Sequence, residues 1–189
     1  MVERASALSG HYQRGKYGKP GEPGVVLLEA PGLVLYQLSA WPDTLEQVGL
    51  IGSEFIGAET YPGPGRVMVG SQGSLLRIEP LKWWCYGLTE VFCSLPVDMG
   101  TALDLSHSRT HVRVTGDQAQ VCLNRLIPID LRLNACPIGS VMSTSLHHVA
   151  ITIWVSESGT YELFIPRGFA LSLWEVLTKT AAQFGCEIT

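Results

Sequence analysis

The feature that most constrains this chain lies between His111 and Gly185, where the apolar period switches from two residues to 3.6 and back again. His111 to Thr115 alternates Val112 and Val114 with polar neighbours, as a strand with two distinct faces does. Thr115-x-x-Gln118 then supplies a capping-box-like helix start. Ala119, Cys122, Leu123, Leu126 and Ile127 follow at i, i+3, i+4, i+7 and i+8, and Pro128 ends the run. Two strands are expected around Val149 to Val155 and Tyr161 to Ile165, joined by the turn Ser156-Glu157-Ser158-Gly159. A last helix puts Ala170, Leu173, Trp174, Leu177, Ala181 and Phe184 on one face and stops at Gly185.

The first half shows the same order more faintly. VVLLE and LVLYQL read as short strands separated by Ala30-Pro31-Gly32. A helix starts at Pro42, after Trp41, and its apolar positions Leu45 and Val48 carry it to Gly49 or Gly52. TYPGPGRVMVGSQG is turn-rich, and SLLRIEPLKWWCYG reads as two strands broken at Glu79-Pro80. Leu88, Val91, Phe92 and Leu95 form a helical stripe stopped by Pro96. LVLYQLSAWPDTLEQV and HVRVTGDQAQVCLNRL can be laid on one another, as can SLLRIEPLKWWCYG and VAITIWVSESGTYELFIPR. The expectation is an α+β fold of two strand-helix-hairpin-helix repeats, with antiparallel sheets carrying helices on one face. It places an extended, Gly/Lys/Pro-rich arm over 1–24 and one domain over 25–189, built from repeats 25–100 and 101–189. Such an arm either stays mobile or orders by lying across a partner.

Composition narrows the function classes. With 46% apolar and 16% charged residues the chain is a compact folded protein, and a mean hydropathy of +0.20 is oily enough to suggest that partners cover part of its surface. Residues 1–24 carry a surplus of two positive charges in a chain of net −4, which leaves the remainder at −6. Such an acidic body is a poor phosphate binder, so nucleic acid is set aside as a partner. No apolar run approaches the roughly 20 residues that span a bilayer, and the first residues lack the apolar segment of a secretory signal. A cytoplasmic protein without a membrane partner is expected.

The candidate chemistry is sparse. Cys85, Cys93, Cys122, Cys136 and Cys186 are odd in number and contain no Cys-x-x-Cys, so reduced, apolar-packed thiols are expected rather than disulfides or zinc. Asp104, Ser106 and His107 have the residue types of a triad, but near neighbours on an extended segment diverge, which favours a turn or cap. His147 and His148, adjacent on a strand, would face opposite sides and fail to share a metal. His11 in the arm, and His111 beside Arg109 and Arg113, are expected to meet solvent or a partner. Neither a dinucleotide GxGxxG nor a GxxxxGK[ST] phosphate loop occurs. No catalytic, cofactor-binding or metal-binding residue is therefore assigned.

Four words of the second half, DLSHSRTHVRVTG, LNRLIPIDL, CPIGSVMSTSL and YELFIPRGF, resemble the gamma subunit of heterotetrameric sarcosine oxidase, a relative of the folate-binding aminomethyltransferase module. Ile129-Asp130-Leu131 and Pro137-Ile138-Gly139 fit the exit and turn that follow the amphipathic helix in that module. Folate-using relatives then show Gly-Gly-Ile-x-Asp-Asp, where this chain has His147, His148, Val149, Ala150, Ile151 and Thr152. Ile151 and Thr152 can neither hold positive charge nor accept a proton as the acids do. The resemblance implies a noncatalytic subunit of an oxidoreductase that oxidatively demethylates sarcosine or a related N-methyl amino acid. It also implies alpha, beta and delta partners that hold FAD, FMN, NAD, zinc and tetrahydrofolate. An alternative is a self-contained folate-binding one-carbon transferase, which would need Asp130, Glu157 or Glu162 in a deep apolar cavity. An adapter for unrelated proteins is a third.

Overall fold

The computed structural model describes residues 5–88, 92 and 94–189. They form two compact units, one of residues up to 32, 108–138 and 143–189, the other of 33–107 and 139–142. The expected α+β class is present, with two sheets and two long helices, but the seven-stranded sheet is mixed where antiparallel sheets were expected, because β12 pairs with β2 in parallel.

The first unit is built on a seven-stranded sheet. Its strands are β1 (Gly15–Tyr17), β2 (Val25–Glu29), β8 (Arg109–Thr115), β9 (Val141–Leu146), β10 (Val149–Glu157), β11 (Thr160–Pro166) and β12 (Cys186–Ile188), in the order β1-β12-β2-β8-β11-β10-β9. β11 pairs antiparallel with β8 from Thr160↔Thr115 to Pro166↔Arg109. β2 lies antiparallel to β8, while β12 joins β2 in parallel. VVLLE, which opens the first half of the sequence, is therefore a strand of the second half's sheet. The long helix of this unit, α3 (Ala170–Ala181), packs on β11 and buries Leu173, Trp174 and Leu177, each contributing about 2 kcal/mol of transfer free energy. Gly185 ends the helical run with φ +75°, a left-handed conformation that glycine adopts without strain.

The expected amphipathic helix after β8 is much shorter than its pattern. α2 spans only Ala119–Leu123, begins at Gln118 without a side-chain cap, and leaves Thr115 in β8. Beyond it the chain continues as tight turns, in which Leu126 N–H donates to Leu123 O and Ile127 N–H donates to the same carbonyl. Asn124 accepts the amide of Leu131 through its side chain, and Pro128 has no N–H to extend the ladder. Ile127 is still buried, so its spacing marks burial rather than helix.

Residues 5–24 are not a free arm. Leu8 is fully buried inside a turn closed by the amides of His11 and Tyr12 on its carbonyl. Tyr12 packs its ring 5.3 Å from Trp174, accepts the amide of Glu29 and donates to the carbonyl of Thr189 at 2.5 Å. At Gly18, with φ +81°, a Cβ would lie 1.9 Å from the carbonyl oxygen of Ala182, so only glycine permits the approach. The segment thus orders on its own unit.

The second unit carries a five-stranded antiparallel sheet, ordered β4-β5-β6-β3-β7, from β3 (Leu35–Ala40), β4 (Val67–Val69), β5 (Ser74–Glu79), β6 (Lys82–Tyr86) and β7 (Gly100–Asp104). A 3-10 turn, Pro42–Thr44, leads into α1 (Leu45–Ile56), which packs on β3, β5 and β6. The helix runs through Gly49 and Gly52, the two residues at which it was expected to stop. A Cβ on Gly49 would meet the Tyr61 ring at 2.7 Å, and one on Gly52 would meet Leu75 at 3.1 Å. These glycines serve close packing, and the true stop is Gly57 at φ +73°. The core gathers Leu38, Val48, Ile56, Leu75, Trp83 and Cys85. In the expected stripe at 88–95, Leu88, Phe92 and Leu95 are buried, Val91 lies outside the described residues, and residues 94 and 95 are not helical.

If the docked segment is part of the folded unit, Leu8→Ala will lower the free energy of unfolding by about 3 kcal/mol, read from urea denaturation. A change within about 0.5 kcal/mol, the usual range for surface sites, would show that the segment contributes nothing.

Candidate functional site

The densest polar chemistry among the described residues sits inside the seven-stranded sheet. His111 and Arg113 project from β8 on the face opposite Val112 and Val114, and the register sets Phe164 and Glu162 of β11 directly across from them. Glu162 is 1% exposed. Its Oε2 takes the Nε2–H of His111 at 2.6 Å, and its Oε1 takes Arg113 Nε at 2.8 Å and the Ser156 hydroxyl at 3.2 Å. Ser156 lies where the register of β10 shifts against β11, between Val155 and Glu157, and the extra residue of this bulge is the one that reaches the carboxylate. The His111 ring stacks on Phe164 at 5.0 Å and 11°.

Electrostatics fix the state of the cluster. Burial pushes the Glu162 carboxyl up, but the hydrogen bond and charge of His111, with those of Arg113, outweigh it and hold the group below its ordinary value of 4.5. Arg113 is 43% exposed, so solvent screens its share, whereas the His111 contact is almost wholly buried. A carboxylate already accepting three hydrogen bonds and held ionised is a poor general base. The arrangement ties β8, β10 and β11 together.

Each residue singled out in the sequence has a definite place. Ser106, buried, donates to Leu35 O at 3.4 Å and accepts the Leu35 amide at 3.0 Å, while its own N–H donates to Asp104 Oδ1 at 2.8 Å. His107 is exposed in the same turn, where Asp104 and Ser106 bond to backbone. His111 corrects the expectation of solvent or partner contact, because β8 is an interior strand flanked by β2 and β11. His147 and His148 are not on a strand: they form the turn between β9 and β10, His147 has φ 58°, and the exposed rings lie 4.5 Å apart instead of on opposite sides. Among the described residues no group of three or more His, Cys, Asp or Glu could hold a metal ion. None of the helices they form is long and apolar enough to cross a membrane.

His11 is exposed and helps line a cleft of about 440 Å³ with Tyr17, Leu171, Trp174, Glu175 and Lys179. A second cleft, about 380 Å³, is lined by polar residues that include Thr115, Asp117, Gln120 and Thr160. Asp130, Glu157 and Glu162 line neither. Asp130 is engaged at the surface with Arg132, whose hydrogen bonds hold its carboxyl below the ordinary range, and Glu157 is exposed. Ile151 and Thr152 are buried on β10. The glutamate cluster escaped sequence reasoning because its partners lie about fifty residues apart, and its one signal was the polar residue offset within each of two apolar strands.

Neither a family model nor a curated protein matches the chain in sequence. Solved structures match its fold. A chain of heterotetrameric sarcosine oxidase from Corynebacterium sp. U-96, solved in complex with pyrrole 2-carboxylate, is similar with a TM-score of 0.75 over 96% of this chain and 96% of that one, at 19% identity. The glycine cleavage system aminomethyltransferase T from Bartonella henselae is similar with a TM-score of 0.61 over 88% of this chain, at 14% identity. The present chain spans only 48% of that protein's length. At these identities the likeness concerns architecture: the fold is aminomethyltransferase-like, and it is shared end to end with a chain of a sarcosine oxidase.

Replacing Glu162 by Gln will destabilise the protein at neutral pH by about 2 kcal/mol, because the buried His111 N–H and the Arg113 guanidinium lose a charged acceptor. The folded carboxyl titrates below its unfolded value, so its contribution is present above about pH 4.5 and is lost as pH falls further. Urea unfolding of the wild type will therefore weaken on acidification below pH 4.5 more than that of Glu162→Gln. Burial also pushes the thiols of Cys85 up to about 12 and of Cys122 and Cys186 to about 11. After iodoacetamide treatment of the folded protein at mildly alkaline pH, peptide mass spectrometry will find these three cysteines unmodified.

Proposed function

We propose that the chain is a noncatalytic gamma-type subunit of a heterotetrameric sarcosine oxidase-like flavoenzyme, acting in assembly while sibling chains oxidise sarcosine or a related N-methyl amino acid. The observation that carries this reading is the end-to-end structural match, 96% of both chains, to a chain of such an oxidase. The likeness to the aminomethyltransferase is weaker, with a TM-score of 0.61 against 0.75, which favours kinship with the oxidase chain. On this reading FAD, FMN, NAD, zinc and tetrahydrofolate sit on alpha, beta and delta partners, and the assembly is cytoplasmic. The reading also takes 25–100 and 101–189 as successive repeats of one pattern. In support, α1 and α3 are each 12 residues long and each follows a 3-10 turn.

The folate-transferase alternative requires a carboxylate free to meet a pterin. Both carboxylate oxygens of Glu162 are engaged, and Ile151 and Thr152 occupy the positions of the acids.

Co-expression with the sarcosine oxidase-type alpha, beta and delta chains of the same genome tests the proposal. A four-chain particle that turns over N-methylglycine, a loss of particle yield when this chain is omitted, and no turnover by this chain alone are expected. Demethylation by the purified single chain, or a stable monomer that ignores the flavoprotein chains, would overturn the reading.

A further inference from the structure

The charge of the chain is not shared between its two units. Residues 33–107 and 139–142 hold eight acidic residues against three basic ones, a net −5 within a chain of −4. Of the three cations, Arg77 is buried on the carbonyls of Pro62 and Pro80, Lys82 is bound to Glu79 at 2.8 Å, and Arg66, exposed, donates to the Ser140 hydroxyl at 3.0 Å. Little positive charge therefore offsets the acids at this unit's surface.

That surface includes a sheet edge. Among the described residues β7 pairs with β3 alone. Natural edges are commonly blunted by lysine, proline or a bulge, but Gly-Thr-Ala-Leu-Asp carries neither residue and its register with β3 runs without a shift. Leu103 on this strand is 54% exposed. The approach to it is fixed by Trp41, whose indole N–H donates to Val97 O at 3.0 Å and whose amide donates to Met99 O at 3.3 Å. Trp41 is 45% and Val97 87% exposed, so an immobilised aromatic ring and a bare aliphatic side chain stand together beside the edge. Asp43 and Asp98 lie within these same two tethered segments, both exposed, and neither forms an ion pair among the described residues.

We infer that β7 with Trp41, Val97 and Leu103 is a docking edge for an extended segment of a sibling chain that carries Lys or Arg among apolar side chains. Main-chain hydrogen bonds to β7 supply the register, Trp41 and Val97 supply apolar contact, and Asp43 and Asp98 select a cationic strand. A second copy of this chain is disfavoured as occupant, because it would bring the same acidic surface against itself. The inference rests on the assembly reading for the identity of the occupant.

The test uses the wild-type chain with the same alpha, beta and delta chains. In the assembled particle, hydrogen exchange at Gly100–Asp104 will slow relative to the free chain. The double variant Asp43→Lys/Asp98→Lys, melting like wild type, will assemble about tenfold more weakly at low salt and will lose most of the salt dependence. Val97→Asp/Leu103→Asp will not assemble. If the particle forms but those amides exchange as in the free chain and both variants assemble like wild type, the docking edge is overturned and the assembly reading stands. If the wild type assembles with none of the chains, both fall. Self-association of the free chain that protects the same amides would assign the edge to a second copy and refute the sibling occupant.

Discussion

A single buried carboxylate obliges three strands to keep one register. Glu162 cannot leave water without donors, and those donors come from β8 and β10, on either side of its own strand. A one-residue slip of β11 against β8 would send Glu162 to the face of Val112 and Val114, among apolar side chains, and strip His111 of its anion. Apolar packing alone tolerates several alignments of such Val- and Ile-rich strands. The ionic cluster tolerates one, and β2, which pairs with β8, and β12, which pairs with β2, inherit that alignment.

The parts of the fold legible in the sequence are those set by local chemistry. The hairpin from Val149 to Ile165, the strand VVLLE, the break at Glu79-Pro80 and the helix ending at Gly185 all emerge where alternation, turn residues or a stop glycine dictate them. Misreadings arise where a residue answers to something distant. Gly49 and Gly52 look like helix ends but make room for Tyr61, Leu75 and Leu38. Ile127 keeps helical spacing yet sits in a turn, because burial against the unit's core, not the helix ladder, holds it. His111 reads as a surface histidine until β11 is laid beside it, and nothing local reveals that Phe164 and Glu162 will be its neighbours. Leu8, in a stretch without periodicity, is buried because a turn folds around it.

The site-level reading depends on the same contrast. The paired acids implied by resemblance to the folate module are replaced at Ile151 and Thr152, and the acid that does lie inside the sheet is consumed by structure. Charge is segregated by unit: the acidic surplus belongs to one unit, while the other is close to neutral.

The order in which the strands are joined bears on how the protein is made. Residues 33–107 hold every strand of the five-stranded sheet and emerge from the ribosome together, so that layer can close early. The other sheet has to wait, since β2 finds its parallel neighbour only when β12 has been synthesised, and among the described residues β1 pairs with β12 alone. Until then the first strands remain unclosed edges on a nascent chain, a state in which chaperones would have their longest opportunity to engage it.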